Sequence, residues 1–244
     1  MRKILEKFIF WAYPWALASR IRNTTPFRML SSIISYTPAE RIIMQAMDIA
    51  CTLEKAGDYL EFGSYKGDSA VSAYHFSRHA GHKNLHIYCF DSFEGMPALA
   101  DADIAAERFF KKGEFACNEK DFKRNLERRG VDMRYVTTIA GWYKNSLNAA
   151  TKRLLPIQSA SVVLIDCDLY TSTVLALDFI TDYIQDGTII IFDDWFLFHG
   201  NPAYGEPKAF TEWLIRNPHI TATEYHKVGW SINSFILHKK LTSL

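Results

Sequence analysis

The chain has 244 residues, 48 % hydrophobic and 23 % charged, proportions that exclude wholesale disorder and fibrous repeats. Lysine and arginine number 28 against 27 aspartates and glutamates, so the uniform basic surface of a sequence-independent nucleic-acid binder is excluded. Cys51, Cys89, Cys117 and Cys167 have no paired spacing and read as reduced thiols, not as a disulfide frame or a zinc cluster.

The apolar run from Phe8 to Ala18 contains Pro14 and is too short for a spanning helix, which needs about twenty residues. Three readings of residues 1–36 stay open. They are an extension packed on its own domain or a second subunit, a membrane-interface segment flanked by Lys3, Lys7, Arg20 and Arg22, and a cleaved signal. From Pro38, the spacing of Ile42, Ile43, Ala46, Met47 and Ala50 predicts an amphipathic helix. Tyr59 to Phe62 predicts a first strand, 68–79 a helix and Leu85 to Phe90 a second strand. A mixed connection over 92–112 leads to a charged helix over 119–129 and a third strand over 134–139. The continuous apolar run 161–165 reads as a strand buried on both faces. A helix over 171–184, a strand over 188–192, a helix over 207–216 and a closing strand pair (220–225 and 231–238) follow. Strands alternating with helices predict one α/β domain, a parallel sheet wound on both faces with an antiparallel C-terminal addition.

In an open α/β sheet the ligand sits beyond the carboxyl ends of the strands. The sequence puts Glu61 with Gly63, Asp91, Gly141, Asp166 with Asp168, and Asp193 with Asp194 at those ends. The loop Gly63-Ser64-Tyr65-Lys66-Gly67 matches neither a nicotinamide fingerprint nor a Walker loop, and a purely structural tight turn is its alternative reading. Asp91, placed to accept the hydroxyls of a ribose, turns the balance toward a nucleoside cofactor with little phosphate charge. The crossover over 171–184 sets the fourth and fifth strands side by side, so Asp166, Asp193 and Asp194 converge. Such a set stays partly protonated or is neutralised by a cation, and an oxygen-only set suits Mg²⁺. Helix capping is the alternative for Asp168 or Asp194. Trp195, His199 and Tyr204 share the following loop and are candidate substrate contacts. His75, His79, His82 and His86 lack a cysteine or acidic partner and read as solvated surface.

Four stretches then carry a resemblance: Gly57-Asp58-Tyr59-Leu60-Glu61-Phe62-Gly63 with Gly67, Phe90-Asp91-Ser92-Phe93-Glu94-Gly95-Met96-Pro97, Ile165-Asp166-Cys167-Asp168-Leu169-Tyr170, and Phe192-Asp193-Asp194-Trp195. In this order the chain resembles the macrocin O-methyltransferase (TylF-like) group of class I S-adenosylmethionine-dependent methyltransferases, over about residues 37 to 240. The resemblance implies a Rossmann-like, seven-stranded, mostly parallel sheet and an O-methylation dependent on a divalent cation, usually Mg²⁺. It implies that Glu61, Gly63 and Gly67 hold the methionine portion of the cofactor, Asp91 the ribose, and Ser92 and Phe93 the adenine. Ser64, Tyr65, Gly141, Trp142 and Asp166 complete the implied cofactor contacts. Asp166, Asp193 and Asp194 become metal ligands, Asp168 the general base, and residues 92–118 a lid on a domain spanning 37–244. Tyr65-Lys66-Gly67 departs from the family's Trp-Arg-Gly, with lysine keeping the positive charge.

The expected function is transfer of a methyl group to a hydroxyl of a sugar or glycosylated small molecule. A metal-independent methyltransferase and a non-catalytic nucleoside-binding scaffold of the same fold are the alternatives. The expected setting is a cytoplasmic homo-oligomer without nucleic acid, with peripheral contact at the inner membrane face through the N-terminus as a further option.

Overall fold

In the computed structural model, which describes residues 36–53 and 56–240, helix α1 (Pro38–Ala50) opens on its proline and buries Ile42, Ile43, Ala46, Met47 and Ala50, one face of a helix. The expectations for residues 1–35 lie outside the described residues. Strand β1 (Asp58–Phe62), α2 (Asp68–His79) and β2 (Ile87–Asp91) follow, then α3 (Glu119–Arg128) and β3 (Val136–Ala140). Two short helices, α4 (Tyr143–Ser146) and α5 (Ala149–Leu154), precede β4 (Ala160–Ile165). The second half adds α6 (Tyr170–Ile180), β5 (Ile184–Phe192), α7 (Gly205–Arg216), β6 (Ile220–Val228) and β7 (Ile232–Lys239).

The strands form a seven-stranded sheet in the order β3-β2-β1-β4-β5-β7-β6. The first five run parallel, while β7 is antiparallel to both β5 and β6. All six residues of β4 are buried. Val163 and Ile165 join Leu60, Phe62, Ile190 and Phe192 in one core cluster, while Val162 and Leu164 join Tyr59, Ile189 and Ile191 in another. Alternating side chains thus feed a core on each face, which is why the run 161–165 shows no polar positions. The order reverses between β1 and β4, so their following loops diverge and open a crevice at the carboxyl edge.

Two departures from the expected elements have local causes. The helix expected to reach 184 ends at Ile180, and β5 begins at Ile184 because Gly187, at φ 85°, lets the strand bulge. The register steps from Ala160 opposite Ile184 to Val162 opposite Ile189. Helices α4 and α5 are too short for a periodic signal; α5 depends on Asn148, whose side chain accepts the N–H groups of Ala150 and Thr151. Among the described residues, no helix is long and apolar enough to cross a membrane.

Candidate active site

A cleft of about 1100 Å³ opens over the carboxyl ends of the strands, at the upper end of the usual range for one small ligand. At its β1–β2 side, Gly63 turns at φ 90°, and a Cβ there would fall 1.7 Å from the Asp166 carbonyl oxygen. Only glycine lets the chain leaving β1 pass this close to the end of β4. Asp91 Oδ2 accepts the N–H groups of Ser64 at 2.7 Å and Tyr65 at 3.1 Å, and Oδ1 that of Phe93 at 2.7 Å. A carboxylate has about four acceptor positions; the three in use clasp two loops together and leave one for a ligand. Tyr65 and Phe93 are held at φ 44° and 56°, conformations that a non-glycine residue keeps only when its surroundings impose them.

Gly63, Ser64, Tyr65, Asp91, Ser92 and Trp142 line this part of the cleft. Glu61, Gly67, Phe93 and Gly141 stand behind it. Glu61 is fully buried beneath the loop, where Tyr59 Oη donates to its Oε2 at 2.8 Å. Burial pushes its carboxyl up to about 7, against the lowering effect of hydrogen bonds from Ser69, Ser64 and Tyr59. At Gly67 a Cβ would collide with Leu126 and Phe122, so that glycine serves the packing of α3. Phe93 lies against Phe122, with ring centroids 5.4 Å apart. Gly141, at φ 134°, donates its N–H to the Asp91 carbonyl at 2.9 Å and turns the chain into the Trp142 segment.

The other end of the cleft is acidic. One oxygen from each of the Asp166, Asp168 and Asp194 carboxylates lies within 4.8 Å of the other two. Strand alternation does not bring Asp166 and Asp168 together, because β4 ends at Ile165. The Asp168 backbone does so, by turning at φ 62°, with the Leu169 N–H on the Cys167 carbonyl at 2.6 Å. Burial first, then repulsion from Asp193 and Asp194, holds Asp166 well above the ordinary carboxylate range. Burial also raises Asp168 strongly, followed by its hydrogen bond with Asp194. Asp193 lines the cleft, but its carboxylate is not in the three-oxygen group; burial and then Asp194 push it up to about 6. None of these aspartates makes an ion pair with a basic side chain among the described residues. An all-oxygen donor set with uncompensated buried charge fits a hard divalent cation.

Two residues that the sequence reading did not single out stand at this end. Glu206, 1 % exposed, accepts the Asp194 N–H on Oε2 at 3.0 Å. An acidic residue in the first turn of a helix reads in sequence as a partner of the helix dipole, which hid its burial. Trp230 lines the cleft at the turn between β6 and β7. Trp195, by contrast, packs against Phe192, Phe210 and Phe235 at centroid distances of 5.1, 5.8 and 4.8 Å. Trp195, His199 and Tyr204 do not line the cleft.

The connection after β2 covers the acidic end. Met96 exchanges backbone hydrogen bonds with Gly113 and Glu114 at 2.9 and 2.8 Å. Met96, Ala106 and Phe110 pack with Leu169, Leu197 and Phe198 in a small separate apolar cluster. Asp103, 4 % exposed, accepts the Thr171 hydroxyl at 2.5 Å and the Thr171 N–H at 3.3 Å, tying this connection to the first turn of α6.

Comparison with known proteins gives the same outline. The chain is 30 % identical over 143 residues to the 8-demethyl-8-(2,3-dimethoxy-alpha-L-rhamnosyl)-tetracenomycin-C 4'-O-methyltransferase of Streptomyces olivaceus, covering 57 % of this chain and 53 % of that one. It is 26 % identical over 145 residues to the demethyldecarbamoylnovobiocin O-methyltransferase of Streptomyces niveus, covering 58 % and 53 %. The chain thus spans about half the length of the curated relatives it matches. Among solved structures, the O-methyltransferase NovP superposes with a TM-score of 0.69 at 20 % identity, covering 84 % of this chain and 80 % of that one. The calicheamicin methyltransferase CalS11 gives 0.63 at 18 % identity, covering 96 % and 90 %. Both share the fold. The family model for macrocin O-methyltransferase matches residues 39–207, a span that holds Gly63, Asp91 and the whole acidic group. By that match, the chain belongs to the macrocin O-methyltransferase (TylF) family.

Proposed function

We propose that the protein transfers the methyl group of S-adenosylmethionine to a hydroxyl of a sugar or glycosylated small molecule, with a divalent cation at the acidic end of the cleft. The observation that carries this reading is the grouping of Asp166, Asp168 and Asp194 in the same cleft as Gly63 and Asp91. The rhamnosyl-bearing substrate in the printed name of the Streptomyces olivaceus relative supports a carbohydrate acceptor.

Gly63, Ser64, Tyr65, Asp91, Ser92 and Trp142 would hold the cofactor, with the free acceptor position of Asp91 on a ribose hydroxyl. When bound, S-adenosylmethionine supplies an electrophilic methyl group, and a cation such as Mg²⁺ supplies positive charge that eases loss of the hydroxyl proton. Asp166 and Asp194 would hold that cation. Asp168, whose oxygen lies beside theirs, accepts the proton of the acceptor hydroxyl; its grouping favours it over Asp193 for this contact. The walls of the cleft then align the acceptor oxygen with the methyl group, and such orientation is a large share of the rate in a displacement of this kind. Residues 92–118 serve as the lid that excludes water from the cleft. In this reading residues 37–244 are the catalytic unit, and residues 1–36 serve docking, dimerisation or contact with the inner membrane face of a cytoplasmic enzyme.

Calorimetric titration with S-adenosylhomocysteine, with and without Mg²⁺, tests the reading. Absence of cofactor binding at high concentration sinks it. Asp166→Ala should abolish turnover and leave the fold intact. A second reading, methyl transfer without a metal, draws on the hydrogen bond between Asp168 and Asp194: a proton shared there discharges part of the group without a cation. Activity that survives exhaustive chelation would establish it.

A further inference from the structure

Trp230 is 73 % exposed and lines the cleft together with Asp193, Asp194 and Leu197. Its place follows from the sheet. Strand β7 runs antiparallel to β5, with Asn233 opposite Phe192, so the turn that feeds β7 passes the carboxyl end of β5. The Phe196 N–H donates to the Ser231 carbonyl at 3.0 Å, which fixes this turn to the loop that follows Asp194. On the opposite side, a Cβ at Gly229 would come within 3.0 Å of the Pro38 side chain, so α1 backs the turn.

Apart from Trp142, the other aromatic rings of the cleft each have a ring partner, and Trp230 is the most exposed of the large apolar side chains that line it. Tyr65 meets Phe115 edge-on at 5.7 Å, and Phe109 meets Phe198 at 5.6 Å. Among the described residues, Trp230 has neither a ring nor a cation against its face. A lone exposed apolar side chain is ordinary on a protein surface. A bare indole on the wall of a cleft, beside carboxylates, is a surface with two chemistries: a flat, electron-rich apolar face and adjacent hydrogen-bond acceptors. A pyranose ring has the matching pair, a face of C–H groups and a rim of hydroxyls.

We infer that Trp230 is the acceptor platform, stacking the C–H face of a pyranose ring while a hydroxyl on its rim turns toward Asp194 and Asp168. The inference rests on the proposed methyltransferase reading and adds the residue that fixes which sugar face enters. Trp230 lies beyond residues 39–207, the span of the family match, so acceptor choice is placed on a part of this chain outside that match.

The test uses full-length protein with S-adenosylhomocysteine and Mg²⁺, and methyl α-L-rhamnopyranoside, methyl α-D-glucopyranoside and methyl α-D-galactopyranoside as probes in saturation-transfer NMR. At least one pyranoside should bind the wild type, with transfer strongest to the C–H protons of a single ring face. Trp230→Ala should weaken that binding by about tenfold, Trp230→Phe should keep part of it, and both should bind S-adenosylhomocysteine as the wild type does. Unchanged pyranoside affinity in Trp230→Ala overturns the inference. So does failure of all three probes to bind a wild type that binds S-adenosylhomocysteine. A wild type that does not bind S-adenosylhomocysteine refutes the methyltransferase reading itself, and the platform with it. Because the indole is largely exposed, the alanine variant should melt within about 2 °C of the wild type, which separates lost recognition from lost folding.

Discussion

The backbone N–H of Asp194 rests on the Glu206 carboxyl at 3.0 Å, so a side chain only 1 % exposed fixes the residue that closes the acidic group. Burial, then the charges of Asp194, Asp193, Asp168 and Asp166, hold Glu206 well above the ordinary carboxylate range. The hydrogen bond from Asp194 asks of it only an acceptor oxygen. Glutamine presents the same carbonyl oxygen, so Glu206→Gln should preserve both stability and divalent-ion affinity. Glu206→Ala strands the Asp194 N–H and leaves a void, at a cost of about 2–4 kcal/mol. Urea unfolding and Mn²⁺ titration of the two variants check this; equal loss in both would show that the charge of Glu206, not its shape, matters.

Asp103 fastens the connection after β2 to α6 through the hydroxyl and N–H of Thr171. The apolar cluster beneath it is small, with Met96, Ala106, Phe110, Leu169, Leu197 and Phe198 as its buried members, so this carboxylate is a large part of what holds the connection down. Asp103→Ala should cost about 1–2 kcal/mol locally and raise hydrogen exchange over residues 96–115, leaving exchange in β1, β4 and β5 unchanged. Global acceleration would mean that Asp103 supports the whole fold and not this connection alone.

The strand ends were readable because four of the five parallel strands carry an acidic residue at their carboxyl end, the third ending at Gly141 instead; Asp91 and Asp166 needed nothing more than that pattern. The closeness of Asp168 to Asp166 comes from a left-handed turn at φ 62°, which leaves no mark in residue type. The positions of Trp195 and Trp230 were hidden for a similar reason. The aromatic cluster that takes Trp195 draws on α7 and β7, and the turn that presents Trp230 is located by pairing between β5 and β7. Both are contacts between distant parts of the chain. The segment after β2 was legible only as a connection without periodicity, since its cohesion comes from one carboxylate and six apolar side chains brought from three regions.

Three carboxyls give the stability a defined pH dependence. In the folded state Glu61 titrates at about 7 against an ordinary value of 4.5, and Asp58 and Asp193 at about 6 against 3.8, burial being the first cause in each. The folded chain holds these protons to higher pH than the unfolded chain does, so stability falls as pH rises through the window from about 4 to about 7. Fully buried Glu61 alone accounts for about 3 kcal/mol. Melting of the metal-free protein should occur at lower temperature at pH 8 than at pH 5. Millimolar Mg²⁺ should recover only the share of the Asp193 part that comes from the Asp194 charge and leave the part due to Asp58, which lies at the start of β1. A melting temperature that rises between these pH values would contradict the burial of all three groups.

Asp91 distinguishes a loop clasp from a simple ligand contact. Both of its oxygens accept backbone N–H groups, Oδ2 from Ser64 and Tyr65 and Oδ1 from Phe93. Asparagine has one acceptor oxygen, and its NH₂ group would face an N–H whichever way the amide is turned. Asp91→Asn should therefore be nearly as damaging as Asp91→Ala, each losing about 2–4 kcal/mol and, with it, the conformation of the Ser64–Tyr65 turn. If Asp91 served only to receive ribose hydroxyls, asparagine would leave the empty protein as stable as the wild type and weaken cofactor binding alone. Thermal unfolding of both variants without cofactor separates the two roles. A wild-type melting temperature for Asp91→Asn would remove the clasp from the account of this site.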